Sequence, residues 1–395
     1  MLDNKIIDKQ AEQIHEELIK WRRKIHKNPE LGFKEYETAN FIAKKLKEFG
    51  IEHKRVCETG IVGLIEGAKP GKTLAIRADI DALALTEEND VSYKSTNEGV
   101  MHACGHDAHT TILLGTAKIL AQYQDKFKGN IKLIFQPAEE GPGGAKPMIE
   151  AGVLKNPDVD YIIGLHVNPN LKSGRVGLKE GRMQAAPDYF KIKILGKGGH
   201  GARPQETVDP IVIGSQIVSG IQQLKSRESD TLKPLVISIG SFHSGEAFNA
   251  IPSEAVLTGT VRSFDNELRK KIKKRMEEIV QNITKAYQAD YKFEYSFEYP
   301  PLYNNKELND LMSQVVIENL GEETLYEIPE PSMGGEDFAY FTQEIPGLYM
   351  RLGTRNEKKG TVNPLHSANF NLDEDILTQG VKLFLYGANK ILDDC

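Results

Sequence analysis

From about residue 9 to residue 49, apolar positions recur at threes and fours, through IHEELIKWRRKIH and then ETANFIAKKLKEFG. Side chains at that spacing share one face of a helix, and glycine readily takes the left-handed turn that stops one, so the pattern predicts two helices ending at Gly50. The rhythm then changes to short apolar runs bounded by turn residues: GIVGLIEG, KTLAIRADID, NIKLIFQPAEE and VDYIIGLHV, with a long helical run, TTILLGTAKILAQY, between the second and third. Runs of that length without alternation suit strands buried on both faces. Alternating with helices, they predict an α/β domain with a largely parallel sheet and helices on both faces.

Around residue 187 the pattern changes again. DYFKIKILGK alternates as a half-buried strand does, DPIVIGSQIVSGIQQL is amphipathic, and PLVISIGSF and AVLTGTVRSF read as strands. NELRKKIKKRMEEIVQNITKAY carries Ile272, Met276, Ile279 and Ile283 on one helical stripe, and YKFEYSFEY closes the series. This β-α-β-β-α-β order is that of an α+β ferredoxin-like domain. After PPLYNN the α/β pattern resumes, with GLYMRLGT as a strand and DEDILTQGVKLFLYGANKIL as a last helix. The expected organisation is therefore a catalytic domain over residues 1–186 and 299–395, interrupted by a satellite domain over 187–298.

Composition narrows the classes of function. The chain has 395 residues, enough for two cores, and a net charge of −6 with no basic excess to attract nucleic acid. Its three cysteines, Cys57, Cys104 and Cys395, make no disulfide framework and fit a reducing cytosol. The polar N-terminus has no apolar core of a signal peptide, and no stretch has the length of a membrane span. The expectation is a cytoplasmic protein with small-molecule partners.

Against that background, MHACGHDAHT (101–110) concentrates three of the ten histidines with Cys104 and Asp107. Open α/β sheets bind ligands beyond the C-terminal ends of their strands. The polar residues there are Asp79 and Asp81 after TLAIRA, Cys104 and His106 after the next loop, Glu139 and Glu140 after IKLIFQ, and His166 within YIIGLHV. The late loop NPLHSANF adds His366. Asp79 and Asp81, like Cys104 and His106, stand two apart, so in extended backbone each pair projects to one side. Adjacent Glu139 and Glu140 would point to opposite sides, one towards metal and one towards a water. Thiolate, imidazole and carboxylate together suit zinc, manganese, cobalt or nickel, and this donor set exceeds one tetrahedral site. Two ions sharing a bridging group would hold a hydroxide at neutral pH. The competing readings are a solvated Glu-Glu pair, a helix or turn cap at Asp81, and a buried apolar role for Cys104.

RADIDALAL, MHACGHDAHT, QPAEEGPGGA, GLHV, GGHGARP, FNAIPSEAVLTGTVRSF, GGEDFAYF and LHSANF, in this order, resemble the M20 metallopeptidase clan. The resemblance is to its amidohydrolase branch of N-acyl-L-amino-acid amidohydrolases, hippurate hydrolases and indole-acetyl-amino-acid hydrolases. It implies that Cys104 bridges two divalent ions, Mn2+ or Zn2+ with Co2+ or Ni2+ as substitutes, and that His106, Glu140, His166 and His366 complete the ligands. Glu139 becomes the general base and Asp81 the carboxylate that orients a ligating imidazole. Asp79 stands where related metallopeptidases carry a histidine ligand. In the satellite, His200 is implied as an oxyanion donor, against the plain reading of GGHGARP as a turn, and Asn249 and Arg262 as substrate contacts. Glu336 and Asp337 lie beside the site or cap the helix that follows them. His102 and His109 are read as loop and helix-face residues. The implied reaction is hydrolysis of an N-acyl-L-amino acid by a homodimer joined through the satellite. The rivals are N-acetyldiaminopimelate deacetylation, dipeptidase or carboxypeptidase cleavage, and a non-catalytic binding relative. A further expectation is that Cys104, emptied of metal, is a low-pKa thiolate open to peroxide.

Overall fold

The computed structural model describes residues 2–394, so Cys395 lies outside the described residues. The chain divides into two compact units: Met1–Met183 with Tyr303–Glu330 and Asp337–Cys395, and Gln184–Leu302 with Pro331–Glu336. Three helices open the first unit where the period predicts two: α1 (Asn4–Gln13), α2 (His15–Lys27) and α3 (Tyr36–Glu48). The first begins upstream of the periodic stretch because the Asp3 side chain caps it, accepting from the Lys5 amide. There follow β1 (Glu52–Val56), β2 (Gly60–Glu66), β3 (Lys69–Asp79), α4 (His106–Gln122), β4 (Lys128–Gln136), α5 (Ala145–Glu150), β5 (Tyr161–Lys172), β6 (Val176–Leu178) and β7 (Gly181–Gln184).

The second unit holds β8 (Ala186–Leu195), β9 (Gly199–His200), α6 (Pro210–Gln223), β10 (Leu235–Ser244), β11 (Ala250–Ile251), β12 (Glu254–Ser263), α7 (Asn266–Ala286) and β13 (Asp290–Phe297). The chain then adds β14 (Leu302–Asn304), α8 (Lys306–Leu320), β15 (Leu325–Glu327), α9 (Ala339–Glu344), β16 (Gly347–Arg355) and α10 (Ile376–Asp394).

In the first unit one sheet runs β1-β2-β4-β3-β5-β16-β6-β15. Its centre, β4-β3-β5-β16, is parallel; β1 and β2 pair antiparallel on one side, and on the other β6 is antiparallel to β16 and parallel to the edge strand β15. Side chains alternate along these strands. Leu74, Ile76 and Ala78 of β3 with Leu133 and Phe135 of β4 and Ile163, Leu165 and Val167 of β5 join one core with α4 and α10. Each fully buried Leu or Ile there contributes about 1.5–3 kcal/mol. The alternate positions, Arg77, Gln136 and Tyr349, face the other way, where the Phe338 ring stacks on Tyr349 at 4.9 Å.

In the second unit the sheet order is β10-β12-β8-β13, antiparallel throughout, with split β-α-β connectivity. Ile213, Ile217 and Ile221 of α6 and Ile272, Met276 and Val280 of α7 make a separate core with Ile192, Ile194, Leu257 and Val261. Pro331–Glu336, which local pattern leaves with the catalytic domain, groups with this unit because Ser332 bridges Gln184 in parallel and accepts from the Ala185 amide.

Candidate metal centre

Because β3, β4 and β5 are parallel, their C-terminal ends lie along one edge of the sheet, and α4 starts there. Gly105, at φ 87, precedes His106, and a Cβ on it would come within 2.4 Å of Val167 Cγ2. Only glycine allows that approach. Cys104 Sγ lies 3.3 Å from His166 Nε2, and His366 Nε2 lies 3.2 Å from Glu140 Oε1. Two sets, Cys104–His106–His166 and Cys104–Glu140–His366, each bring their ligand atoms within 4.8 Å of one another. They share Cys104. Glu139 belongs to a third set, with His106 and Glu140.

Hydrogen bonds decide which ring nitrogens are offered. His106 Nδ1 lies 3.0 Å from the Asp81 carbonyl and 3.1 Å from Asp81 Oδ1, both acceptors, so it carries a proton and leaves Nε2 as the nitrogen that an ion would meet. His166 Nδ1 likewise donates to the Val167 carbonyl at 2.7 Å, leaving Nε2 towards Cys104. His106 Nε2 is buried without a hydrogen-bond partner among the described residues, and the buried Glu140 Oε1 faces it at 4.0 Å with His366 Nε2 at 3.2 Å. A buried, unpartnered imidazole nitrogen and a buried carboxylate oxygen beside a thiol fit a soft divalent cation.

Electrostatics point the same way. Burial opposes charge on His106, but Asp79, Asp81 and Glu140 outweigh it and hold the ring up at about 10. The site attracts positive charge, and without an ion a proton supplies it. Burial pushes Glu140 up, but His366 and His106 hold it below the ordinary range. Burial, reinforced by Glu140 and Glu139, pushes the Cys104 thiol well above its ordinary range. This overturns the expectation of a low-pKa thiolate in the ion-free site: a thiol surrounded by carboxylates keeps its proton until a cation replaces it.

The backbone also corrects the reading of Glu139 and Glu140. Ala138 sits at φ 55 and the glutamates follow in a turn, so both carboxylates approach His106 and do not diverge as in a strand. Asp81 grips His106, and its Oδ2 accepts from the Glu140 amide at 2.9 Å. Asp79 lies 3.7 Å from His106 Nε2 and is held by Arg77 at 2.6 Å and His109 Nδ1 at 2.6 Å. His109, read as a helix-face residue that could line the site, accepts from the Val167 amide through Nε2 at 2.9 Å and so supports the strand carrying His166. Its spacing of three from His106 on α4 was the available signal. His102 is buried with both ring nitrogens unpartnered among the described residues, and burial drives its pKa down to about 3. Asp337 does not cap α9, whose N-cap is Phe338; its carboxylate accepts instead from the Gly144 and Ala145 amides, both at 3.0 Å.

Within the second unit, His200 pairs with Ala250 across β9 and β11, and the Gly201 amide donates to the Asn249 carbonyl, so His200 and Asn249 are neighbours. His200 Nδ1 accepts from the Ala202 amide at 3.0 Å, which leaves the proton of the neutral ring on Nε2. Arg262 stands near the far end of β12, its guanidinium carbon 5.8 Å from the Tyr189 ring centroid. The strand from Glu254 to Arg262 alone spans about 26 Å.

Residues 75–390 match peptidase family M20/M25/M40. The chain is 46% identical over 375 residues to thermostable carboxypeptidase 2 of Saccharolobus solfataricus, covering 94% of each chain. It is 47% identical over 268 residues to an N-acyl-L-amino acid amidohydrolase of Geobacillus stearothermophilus, covering 67% of this chain and 72% of that one. The structure of Bacillus subtilis YXEP protein, described as a dinuclear metal binding peptidase from the M20 family, superposes with TM-score 0.84 at 36% identity, covering 97% and 100% of the two chains. With these likenesses and the gathered donors on its sheet edge, the chain belongs to peptidase family M20/M25/M40, as a metal-dependent enzyme of the M20 amidohydrolase branch.

Proposed function

We propose that the protein hydrolyses the amide bond of N-acyl-L-amino acids at a two-ion centre. The observation that carries this reading is the pair of donor sets meeting at Cys104 with Glu139 beside them. Cys104 would bridge the ions, His106 and His166 completing one site and Glu140 and His366 the other, with Asp81 orienting His106. Bound divalent ions, Mn2+ or Zn2+, supply Lewis-acid polarisation of the scissile carbonyl and a nucleophile at neutral pH. Glu139 takes the proton of the attacking water and delivers it to the leaving nitrogen, as its place beside the donors supports. His200 Nε2–H donates to the oxyanion of the tetrahedral intermediate, Asn249 assists it, and Arg262 forks onto the α-carboxylate.

His200 and Asn249 stand near one end of β12 and Arg262 near the other, further apart than one small substrate can bridge. We therefore assign His200 and Asn249 to the centre of a partner subunit in a homodimer, and place the enzyme in the cytoplasm.

The test is release of free amine from N-acetyl, N-benzoyl and longer N-acyl amino acids, N-acetyldiaminopimelate and blocked dipeptides. Metal-stripped protein is assayed with and without added Mn2+ or Zn2+. Metal-dependent turnover that Glu139→Gln lowers at least about 1,000-fold is the expected result. The carboxypeptidase name of one relative makes the blocked dipeptides the informative rival, since preference for them would move the assignment to peptide cleavage. Tight metal binding with no turnover on any substrate would remove it.

A further inference from the structure

The loop that carries Glu139 and Glu140 leaves the sheet at Gln136, the last residue of β4, and re-enters regular structure at Ala145, the first of α5. Its neck is tight: a Cβ on Gly144 would come within 1.9 Å of the Pro137 carbonyl oxygen, and the Gly143 amide donates to the Ala138 carbonyl at 2.9 Å. One buried carboxylate holds both sides of that neck. Gln136 Nε2 donates to both oxygens of Asp337 at 2.8 Å, and the Gly144 and Ala145 amides donate to Asp337 Oδ2 at 3.0 Å.

The mount is charged and extends to the other strands. Arg77 on β3 donates to Asp337 Oδ1 at 2.9 Å, to Gln136 Oε1 at 2.8 Å and to Asp79 Oδ2 at 2.6 Å. Asp79 holds His109, which holds the amide next to His166. Arg77, Asp79 and Asp337 are all buried. A carboxylate that accepts from this many donors at once has one orientation, and the donors have one register relative to it.

We propose that Asp337, clamped by Arg77, is a positioning residue that sets where Glu139 and Glu140 stand relative to His106 and His166. The inference rests on the roles given to those residues above. Asparagine at position 337 keeps the shape but turns one acceptor into a donor that faces an amide or a guanidinium, so the neck can no longer be held on both sides.

The experiment compares wild type, Asp337→Asn, Gln136→Ala and Glu139→Gln in three measurements. They are kcat and KM on the acyl-amino acid turned over fastest, the dissociation constant of Mn2+ titrated into metal-stripped protein, and amide hydrogen exchange of the 137–148 segment. Removal of a group that supports metal ligands changes activity or metal affinity by about 10- to 100-fold. The expected result for Asp337→Asn is therefore a kcat about 10- to 100-fold lower with KM within about threefold. Its Mn2+ affinity should be at least about tenfold weaker and its exchange at 137–148 faster, with circular dichroism unchanged. Gln136→Ala, which cuts one side of the neck and leaves the carboxylate, gives the same split to a smaller degree. It decides the matter if Asp337→Asn does not fold. Wild-type kcat and Mn2+ affinity in whichever of these variants folds, beside an inactive Glu139→Gln, overturn the positioning role. An active Glu139→Gln overturns the underlying reading, while the Mn2+ titration still tests the mount without substrate.

Discussion

Glu35 is buried where the loop of Glu139 and Glu140 begins, and its carboxylate accepts from the Ala138 amide at 2.9 Å and the Thr59 hydroxyl at 2.6 Å. Burial raises its pKa from 4.5 to about 6, against the pull of the Thr59 hydrogen bond. The folded protein therefore binds this proton at higher pH than the unfolded chain does. Stability from this group rises as pH falls from about 6 to 4.5, and the full penalty stands above 6, about 2 kcal/mol at one pKa unit per 1.36 kcal/mol. Glu35→Gln keeps an acceptor for Ala138 and removes the charge. Its melting temperature should exceed wild type at pH 8 and converge with it near pH 4.5; a lower melting temperature at pH 8 would contradict this. Metal uptake is linked to protons as well, because the ion-free centre holds a protonated Cys104 and a His106 raised to about 10. Adding Mn2+ in weak buffer near pH 7 should release about two protons per centre, affinity should climb with pH, and Cys104→Ser should release fewer. The donor types were readable from the chain, since cysteine, histidine and glutamate cluster after successive apolar runs. The protonation pattern was not, because each shift is set by burial and by carboxylates brought in from other elements.

At the scale of elements, helix and strand types follow local period, and β3, β4, α4 and β5 lie where their apolar runs stand. What period does not carry is how one element ends against another. Gly105 is such a joint: it starts α4 in a left-handed conformation with Val167 where a side chain would go. Gly105→Ala adds a left-handed penalty of about 1–2 kcal/mol to the steric one, so a loss of at least about 2 kcal/mol is expected in chemical denaturation. Mn2+ binding should weaken too, because His106 is the next residue. A neutral effect on both would show that the start of α4 adapts. The Glu139–Glu140 turn is a second joint: a strand pattern read through Pro137 predicts divergent side chains, whereas positive φ at Ala138, held by Glu35, brings both to His106.

The whole molecule has two separate cores, and the donors of the two sets that meet at Cys104 all belong to the first unit. Calorimetry should then resolve a metal-sensitive transition from a metal-insensitive one, the first stabilised by about 2.7 kcal/mol at a hundredfold excess of Mn2+ over its dissociation constant. A single transition shifted as a whole would instead mean that the units unfold together. The alternation of the main buried strands with helices, the change of rhythm near residue 187 and the chemical kinds of the donors were determined by the sequence itself. Burial periodicity and residue chemistry act over a few positions and need no partner. Only the tertiary structure decided that Arg77 meets Asp337 across 260 positions, that His109 holds the strand of His166, and that Pro331–Glu336 joins the second unit. Those contacts arise from the register of parallel strands and the return of the chain. Both bring together residues whose pairing no local pattern encodes.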